Sequence, residues 1–313
     1  MTTAIAYATD DNYAPHVAVS LYSLLKNLRG ECPELYVIGN NLSQDNISKL
    51  QETVNKIGGK LNFIDGGLVA QTLPSDIDCA NLSLSTYIRL FSAQLLPSHI
   101  DKLLYLDCDT YINCDINELM EVDLKNFPIA GIEDTMYPDM KVSIGLKADD
   151  PYINAGILLI NLKYWREKNP LSKFLEVIKS YKGKVPHLDQ GVINKVFNNN
   201  KVILPLKYNV QSPMFAIHKY QRILKFYGIK SFYNEKVVID AKKNPGIIHF
   251  TSFFLGRPWE IGCIHPLRAL YYKALENTPY KGITFTKRIM WKRRVKMFSF
   301  KNMQSLYFKL RTL

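Results

Sequence analysis

The first 64 residues alternate short apolar runs with stretches of helical periodicity. Residues 3–9, 35–38 and 61–64 are apolar runs of strand length, whereas residues 14–28 carry apolar side chains at helical spacing. A second helix is expected after Ser43, a residue type that caps helix N-termini, and it ends at the Gly58-Gly59 pair. This alternation of strands and helices predicts an α/β fold with a mostly parallel sheet flanked by helices.

A later apolar run, residues 103–106, ends in two carboxylates, Asp107 and Asp109. Residues two apart in an extended chain project to the same side, so both charges point to one place. Two like charges held so close favour a cation beside them, and Mn²⁺ and Mg²⁺ prefer oxygen ligands. The alternative is a strand end whose two aspartates are simply solvated in a turn, because short motifs of this kind are common.

The composition limits the class of protein. Hydrophobic residues make up 47% and charged residues 22% of the chain, as in globular proteins, and no run of 18 apolar residues predicts a membrane-spanning helix. The N-terminal residues have no basic region and no long apolar core, so we expect no signal peptide and a cytoplasmic location. Five cysteines without a C-x-x-C pair predict neither a disulfide framework nor a zinc site.

The net charge of +12 is concentrated near the C-terminus. Ten of the 40 Lys and Arg residues and none of the 28 Asp and Glu residues lie in residues 277–313, which leaves 30 basic and 28 acidic side chains in residues 1–276. We therefore predict two parts: a main domain over residues 1–276 and a basic tail over residues 277–313.

The tail has the pattern of a helix that lies in a membrane interface. Trp291, Val295 and Phe298 follow one another at helical spacing, and basic residues lie between them. This predicts a helical tail that attaches the protein peripherally to the anionic inner face of the cell membrane. The alternatives are a nucleic-acid patch or a disordered, solvated tail. The nearly neutral main domain argues against nucleic acid as a partner.

Seven motifs occur in a fixed order between residues 3 and 260. They are A-T-D-D-N-Y at 8–13, S-T-Y-I-R at 85–89, L-Y-L-D-C-D at 104–109, Y-I-N-A-G-I-L-L-I-N at 152–161, H-L-D-Q at 187–190, H-F at 249–250 and R-P-W at 257–259. Together they resemble glycosyltransferase family 8, the group of bacterial lipopolysaccharide galactosyl- and glucosyltransferases that also includes glycogenin. The resemblance implies a GT-A fold that binds a nucleotide sugar.

The resemblance also implies roles for individual residues. Asp107, Asp109 and His249 are expected to bind Mn²⁺ or Mg²⁺, and Asp189 and Gln190 are expected at the catalytic centre, lining the sugar pocket. The remaining residues expected to bind the nucleotide sugar are Ala8, Thr9, Asp10, Asn12, Tyr13, Arg89, Cys108, Asn154, Ala155, Ser252 and Arg257.

The expected reaction moves galactose or glucose from a UDP-sugar to a hydroxyl of a cell-envelope glycan or glycolipid, with retention of anomeric configuration. Retention by double displacement needs a carboxylate nucleophile. The family positions offer only the amide of Gln190, and a related D-Q-D pattern is broken here by Gly191. We therefore favour attack on the same face of the sugar, in which the leaving phosphate helps to deprotonate the acceptor hydroxyl.

The chain departs from the family pattern after His249. Ser252 stands where the family has glycine, the connection to the next motif is longer, and Arg257 replaces lysine. Arginine keeps the charge but changes the hydrogen-bonding geometry. This departure leaves open a catalytically degenerate protein that binds a nucleotide sugar at the membrane.

A second alternative is a phosphatase of the haloacid dehalogenase type, whose D-x-D motif is also followed by Thr, as Asp107 to Thr110 are here. In such an enzyme the first aspartate is a nucleophile. That motif normally ends the first strand of its domain, whereas three strands are predicted before Asp107.

Overall fold

The computed structural model describes residues 2–75, 77–79, 84–289 and 295. The strands of this part are β1 (Thr3–Thr9), β2 (Glu34–Gly39), β3 (Leu61–Asp65), β4 (Lys102–Leu106), β5 (Thr110–Ile112), β6 (Ile129–Glu133), β7 (Ile153–Asn161), β8 (Val202–Ile203), β9 (Val210–Gln211) and β10 (Ile247–His249). The α-helices are α1 (Ala14–Asn27), α2 (Gln44–Asn55), α3 (Gly67–Thr72), α4 (Ser92–Leu95), α5 (Asn117–Met120), α6 (Pro138–Ser143), α7 (Leu162–Lys168), α8 (Pro170–Ser180), α9 (Leu188–Val196), α10 (Ser212–Ala216), α11 (Tyr220–Tyr227), α12 (Glu235–Lys243) and α13 (Arg268–Leu275). Leu84–Phe91 and Leu206–Tyr208 are 3₁₀-helices.

Seven strands form the central sheet in the order β3-β2-β1-β4-β7-β6-β8. Neighbouring strands from β3 to β4 are parallel, β7 is antiparallel to both of its neighbours, and β8 is parallel to β6. The predicted mostly parallel sheet is therefore confirmed, with β7 as the reversed strand. Three of the strands predicted from apolar runs, β1, β2 and β3, form one half of it.

Both faces of the sheet are buried. Ile5 and Tyr7 of β1 belong to the apolar core on one face, and Ala4 and Ala6 belong to the core on the other. This alternation follows from the two-residue repeat of a strand, and burial on both faces explains why β1 is apolar throughout. The sheet is thus the rigid support on which the loops at its edge are held.

A predicted cap and one of the motifs lie on two different kinds of helix. The backbone N–H of Asn46 donates to Ser43 Oγ at 3.3 Å, so the predicted cap of α2 is confirmed. The S-T-Y-I-R motif at residues 85–89 lies in the 3₁₀-helix Leu84–Phe91, which leads into α4. Side chains three residues apart lie on the same side of a 3₁₀-helix, and this geometry brings Thr86 and Arg89 to the same neighbour, Asp189.

The segment at residues 135–151, which its polar sequence suggests is a loop, contains α6. Lys141 Nζ donates to the carbonyl oxygen of Asp150 at 2.8 Å, and Lys195 Nζ donates to that of Ile144 at 2.7 Å. Met136, Ile144 and Leu146 of this segment form a small apolar cluster with Tyr152. These contacts hold the segment against the domain.

A second, three-stranded sheet has the order β5-β10-β9 and places the last strand beside the D-x-D motif. Asp107 to Asp109 connect β4 to β5, and β10 pairs antiparallel with β5 so that His249 lies opposite Thr110. The backbone N–H of Phe250 donates to the carbonyl oxygen of Asp109 at 2.8 Å. The register of this small sheet therefore fixes His249 next to both aspartates.

The chain after α13 returns to the domain. The predicted tail begins at residue 277, and its first part, residues 277–289, is described by the structure; Ile289 is buried there. Trp291 and Phe298, on which the membrane prediction rests, lie outside the described residues, so the division at residue 276 and the helical tail stay predictions. No helix within the described ranges is both long and apolar enough to cross a membrane.

Candidate active site

The carboxyl ends of β1 and β4 meet the start of β7 at one edge of the central sheet. In open α/β sheets this edge is the usual place for a ligand, because loops there can surround it while the strands stay rigid. Asp107 and Asp109 follow β4, the loop at residues 10–13 follows β1, and Asn154 and Ala155 open β7. The backbone N–H of Asp107 donates to the carbonyl oxygen of Gly156 at 2.7 Å, which fixes the motif against β7.

The two aspartates and the histidine converge. His249 Nε2 lies 2.9 Å from Asp109 Oδ1 and 3.7 Å from Asp107 Oδ2. Each of the three residues offers one ligand atom, and these atoms lie within 4.8 Å of one another. Two carboxylates and one imidazole suit Mn²⁺ or Mg²⁺, and the rest of the coordination sphere can be supplied by phosphate or water oxygens.

Asn209 orients the imidazole for this role. His249 Nδ1 lies 3.1 Å from Asn209 Oδ1, so this nitrogen carries the proton that it donates to the amide oxygen. This leaves Nε2, which lies 2.9 Å from Asp109 Oδ1, as the nitrogen that would bind a cation once its proton is displaced, as expected of a metal-binding histidine with an outer hydrogen bond. The donor set of this site therefore fits a divalent cation.

Burial and charge act against each other at Asp109 and His249. Burial disfavours the charged forms of Asp109 and His249, but their mutual attraction outweighs it, so the pKa of Asp109 is lowered and that of His249 is raised. Arg257 Nε, 3.2 Å from Asp109 Oδ2, adds to the lowering of the Asp109 pKa. Asp109 is thus ionised and available as a ligand.

Arg89 connects the D-x-D motif to Asp189. Its Nη2 lies 2.9 Å from Asp107 Oδ1, its Nε lies 2.9 Å from Asp189 Oδ2, and its Nη1 donates to the carbonyl oxygen of Ala155. Burial disfavours the guanidinium charge, but the two carboxylates raise the pKa of Arg89 above its usual value. The guanidinium also stacks on Tyr105, 4.4 Å from the ring centroid. A cation held this rigidly keeps both carboxylates in place.

Gln190 uses all of its hydrogen-bonding capacity within the protein. Its Oε1 accepts from the backbone N–H of Ala155 at 2.9 Å and from Asn154 Nδ2 at 3.1 Å. Its Nε2 lies 3.0 Å from Asp134 Oδ2 and 3.1 Å from His187 Nδ1. An amide oxygen with both lone pairs in use is poorly placed to attack a sugar carbon.

The backbone around Gly191 has no room for the carboxylate that the related D-Q-D pattern carries at its third position. A Cβ atom at this position would lie 2.1 Å from the carbonyl oxygen of Pro186. The close approach of the chain before α9 therefore excludes any side chain at residue 191, including the aspartate of the related D-Q-D pattern.

A cavity of about 650 Å³ opens beside the aspartates. Of the residues predicted to bind the nucleotide sugar, those that line it are Ala8, Thr9, Asp10, Asn12, Tyr13, Arg89, Asp107, Cys108, Asp109 and Arg257. Asn154, Ala155, Asp189, Gln190 and His249 lie behind this lining and are joined to it by the hydrogen bonds and ion pairs described above. Ser252 is exposed and is not among the lining residues.

Several residues of the site escaped the sequence analysis. Asp134 accepts from Asn154, Gln190 and Gln211 and so holds the middle of the network. The sequence feature that could have identified Asp134 is its position directly after β6, because a carboxylate that ends an apolar run is typical of a site residue. Asn209 had no signal, because a single asparagine between two short strands is unremarkable in sequence. The aromatic residues His16 and Phe285, which also line the cavity, are far apart in the chain.

Comparisons with known proteins identify the family of this chain. The sequence model of the family described as Glycosyl transferase family 8 matches residues 4–261. General stress protein A of Bacillus subtilis is 26% identical over 284 residues, which cover 89% of this chain and 95% of that protein. Lipopolysaccharide 1,2-glucosyltransferase of Escherichia coli K12 is 29% identical over 289 residues, which cover 88% of this chain and 78% of that protein.

A solved structure of the galactosyltransferase LgtC in complex with donor and acceptor sugar analogs has the same fold. It superimposes with a TM-score of 0.73 at 22% identity and covers 94% of this chain and 99% of that one. The predicted GT-A architecture is thereby confirmed. Because the family model matches residues 4–261, which is well over half of the chain, the chain belongs to glycosyl transferase family 8.

Proposed function

We propose that this protein transfers galactose or glucose from a UDP-sugar to a hydroxyl of a cell-envelope glycan, with retention of anomeric configuration and with a divalent metal ion. The observation that carries the proposal is the convergence of Asp107, Asp109 and His249 beside a cavity that is lined by both aspartates, by Arg89 and by most residues of the segment 8–13. Membership of a glycosyltransferase family argues against the phosphatase alternative. The three strands that precede β4 argue against it too, because the phosphatase motif normally ends the first strand of its domain.

In this proposal Asp107, Asp109 and His249 bind Mn²⁺ or Mg²⁺. The metal ion would offset the negative charge that develops on the leaving diphosphate. Arg89 is held by Asp107 and Asp189 and supplies a fixed positive charge beside it. Such charges cost no reorganisation during the reaction, which makes them effective in stabilising a transition state.

The saturated amide of Gln190 supports same-face attack. The nearby carboxylates are also engaged: Asp134 accepts from three side-chain amides, and Asp189 is held by Thr86 and Arg89. These contacts keep both carboxylates turned towards their protein partners. We infer that Gln190 holds Asn154 and Ala155 in place behind the cavity lining and that the leaving phosphate accepts the proton of the acceptor hydroxyl.

The glycan acceptor is proposed from the relatives. One is a lipopolysaccharide glucosyltransferase, and LgtC was solved with donor and acceptor sugar analogs.

The basic and aromatic pattern at Trp291, Val295 and Phe298 supports attachment to an anionic membrane, where a lipid-linked acceptor would be found. Cosedimentation with vesicles tests this: the full chain should bind phosphatidylglycerol vesicles at low salt and release them at high salt, and equal binding to neutral vesicles would contradict the role of charge.

The first experiment measures UDP release from a panel of UDP-sugars with Mn²⁺, with Mg²⁺ and with EDTA. We expect hydrolysis or transfer with one hexose donor, its loss in EDTA and its loss in Asp109→Asn, which preserves the shape of the side chain. Asp240→Asn, an exposed carboxylate on α12, is the control and should retain activity. Binding without turnover, even with acceptor glycans present, would instead favour the degenerate binding protein. No binding of any UDP-sugar would overturn the proposal.

A further inference from the structure

Residues 284–289 form a segment that runs beside the donor cavity. The backbone N–H of Ile261 donates to the carbonyl oxygen of Lys287 at 2.9 Å, and that of Ile289 donates to the carbonyl oxygen of Ile261 at 3.2 Å. Ile289 is buried, and a Cβ atom built on Gly256 would lie 2.5 Å from its Cδ1. The segment is therefore fastened to the same loop that carries Arg257.

Four consecutive residues of this segment, Thr284 to Lys287, line the cavity that the D-x-D motif and the loop at residues 8–13 also line. The Phe285 ring stacks on His16 with a centroid distance of 5.4 Å, and Trp259 stacks on His16 at 3.7 Å. Tyr13 meets His16 edge-on at 5.2 Å. These four rings make one aromatic wall, to which Phe285 belongs although it lies far from the motifs in sequence.

The charges at the cavity differ in how firmly they are held. Arg89 and Arg257 are nearly buried and contact the carboxylates of the site at 2.9 to 3.2 Å. Lys287 is 65% exposed and lies 4.0 Å from Glu260. His16 adds no charge, because burial lowers its pKa to about 3. Among the described residues that line the cavity, Lys287 is thus the cation with most freedom to turn towards an anionic ligand.

We propose that Thr284 to Lys287 are part of the donor site, with Phe285 beside the base and Lys287 facing the diphosphate. The inference rests on the proposed function, since it takes the ligand to be a nucleoside diphosphate. A planar base packs favourably against an aromatic wall, and the ammonium group neutralises phosphate charge that the two paired arginines leave uncompensated. The C-terminal region thereby contributes to donor binding as well as to any membrane attachment.

The test compares the dissociation constants of UDP and uridine, measured calorimetrically on the full chain with Mn²⁺. Lys287→Ala should weaken UDP binding roughly tenfold and leave uridine binding unchanged, because only UDP carries the phosphates. Phe285→Ala should weaken both ligands about three- to tenfold. Lys287→Arg should restore most of the UDP affinity, and Lys281→Ala, with a side chain 69% exposed and outside the cavity lining, should match the wild type.

Thermal melts of each variant separate loss of binding from loss of folding, and Phe285→Leu keeps apolar packing without an aromatic ring. If the wild type binds UDP and the Lys287 and Phe285 variants bind it equally well, the inference is overturned while the proposed function stands. Equal weakening of UDP and uridine in Lys287→Ala would overturn the phosphate role of Lys287. If the wild type binds none of UDP, GDP, ADP and CDP, the proposed function fails and this inference with it.

Discussion

The backbone of Gly156 lies against the imidazole of His249. A Cβ atom on Gly156 would lie 2.3 Å from His249 Cε1 and 2.7 Å from Asp107 Oδ2. Such distances are far below van der Waals contact, and both neighbours are fixed, His249 by Asn209 and Asp107 by Arg89. Glycine at this position of β7 is therefore a condition for the three predicted metal ligands to converge.

We expect Gly156→Ala to reduce metal-dependent turnover by on the order of 100-fold, because a shift of about 1 Å in a positioned group can have that effect. The measurement is turnover against Mn²⁺ concentration, with a thermal melt to show that the variant folds. Gly67→Ala is the control, since its Cβ would meet only the exposed carboxylate of Asp65, which can move. Wild-type metal dependence in Gly156→Ala would contradict this account of the site.

Two buried histidines should make the protein sensitive to mild acid. Burial lowers the pKa of His16 to about 3 and that of His265 to about 4, so the unfolded chain binds protons below pH 6.5 that the folded chain does not. Stability is therefore complete above the unfolded pKa and decreases as the pH falls. Between pH 7.5 and pH 5 each histidine should contribute about 2 kcal/mol of destabilisation.

Urea unfolding at a series of pH values measures this effect. His265→Asn removes one titrating group and keeps an acceptor for the backbone N–H of Leu267, so its stability should fall less steeply with acid. His218→Asn, at the surface, is the control and should follow the wild-type slope. Because the pKa of His249 is raised and works in the opposite direction, the deciding comparison is between variants: an equal slope in the wild type and in His265→Asn would show that His265 is not buried in the neutral form.

Gln190→Ala should lower kcat about 10- to 30-fold and change the dissociation constant of UDP by no more than about twofold, since the proposed same-face attack gives the side chain a positioning role and no covalent bond. The loss reflects the unpaired backbone N–H of Ala155 and the freed Asn154 amide. Single-turnover kinetics with the identified donor measures it. Complete loss of turnover with intact UDP binding would argue against same-face attack.

We expect replacement of Arg257, which stands where the family resemblance predicts lysine, to weaken UDP binding. Its Nε contacts Asp109 Oδ2 at 3.2 Å and its guanidinium lies 5.8 Å from the Trp259 ring centroid, a pair of contacts that lysine cannot reproduce. We expect UDP affinity to fall about threefold in Arg257→Lys and at least about tenfold in Arg257→Ala. Arg268→Lys, beside Tyr272 and outside the cavity lining, is the matched control. Unchanged affinity in Arg257→Lys would show that charge alone matters.

The sequence predicted the parts of the site that lie within single motifs. Asp107 and Asp109 were predictable because strand geometry alone puts side chains two apart on one side. The residues that hold the site in place were not predictable. Asn209, for example, comes 100 residues after Asp109 and reaches the site only because β9 and β10 pair. The 3₁₀-helix at Leu84–Phe91 was not predictable either, because apolar spacing over one or two turns does not distinguish it from an α-helix.

By itself the sequence determined the α/β class, the mostly parallel sheet, the family and the three residues expected to bind metal, since periodicity and ordered motifs are local properties of the chain. The tertiary structure decided which side chains orient those residues, that Gln190 is saturated by Asp134 and Ala155, and that Phe285 and Lys287 return to the cavity. These are contacts between residues far apart in the chain. They depend on strand register and loop closure, which no local pattern encodes.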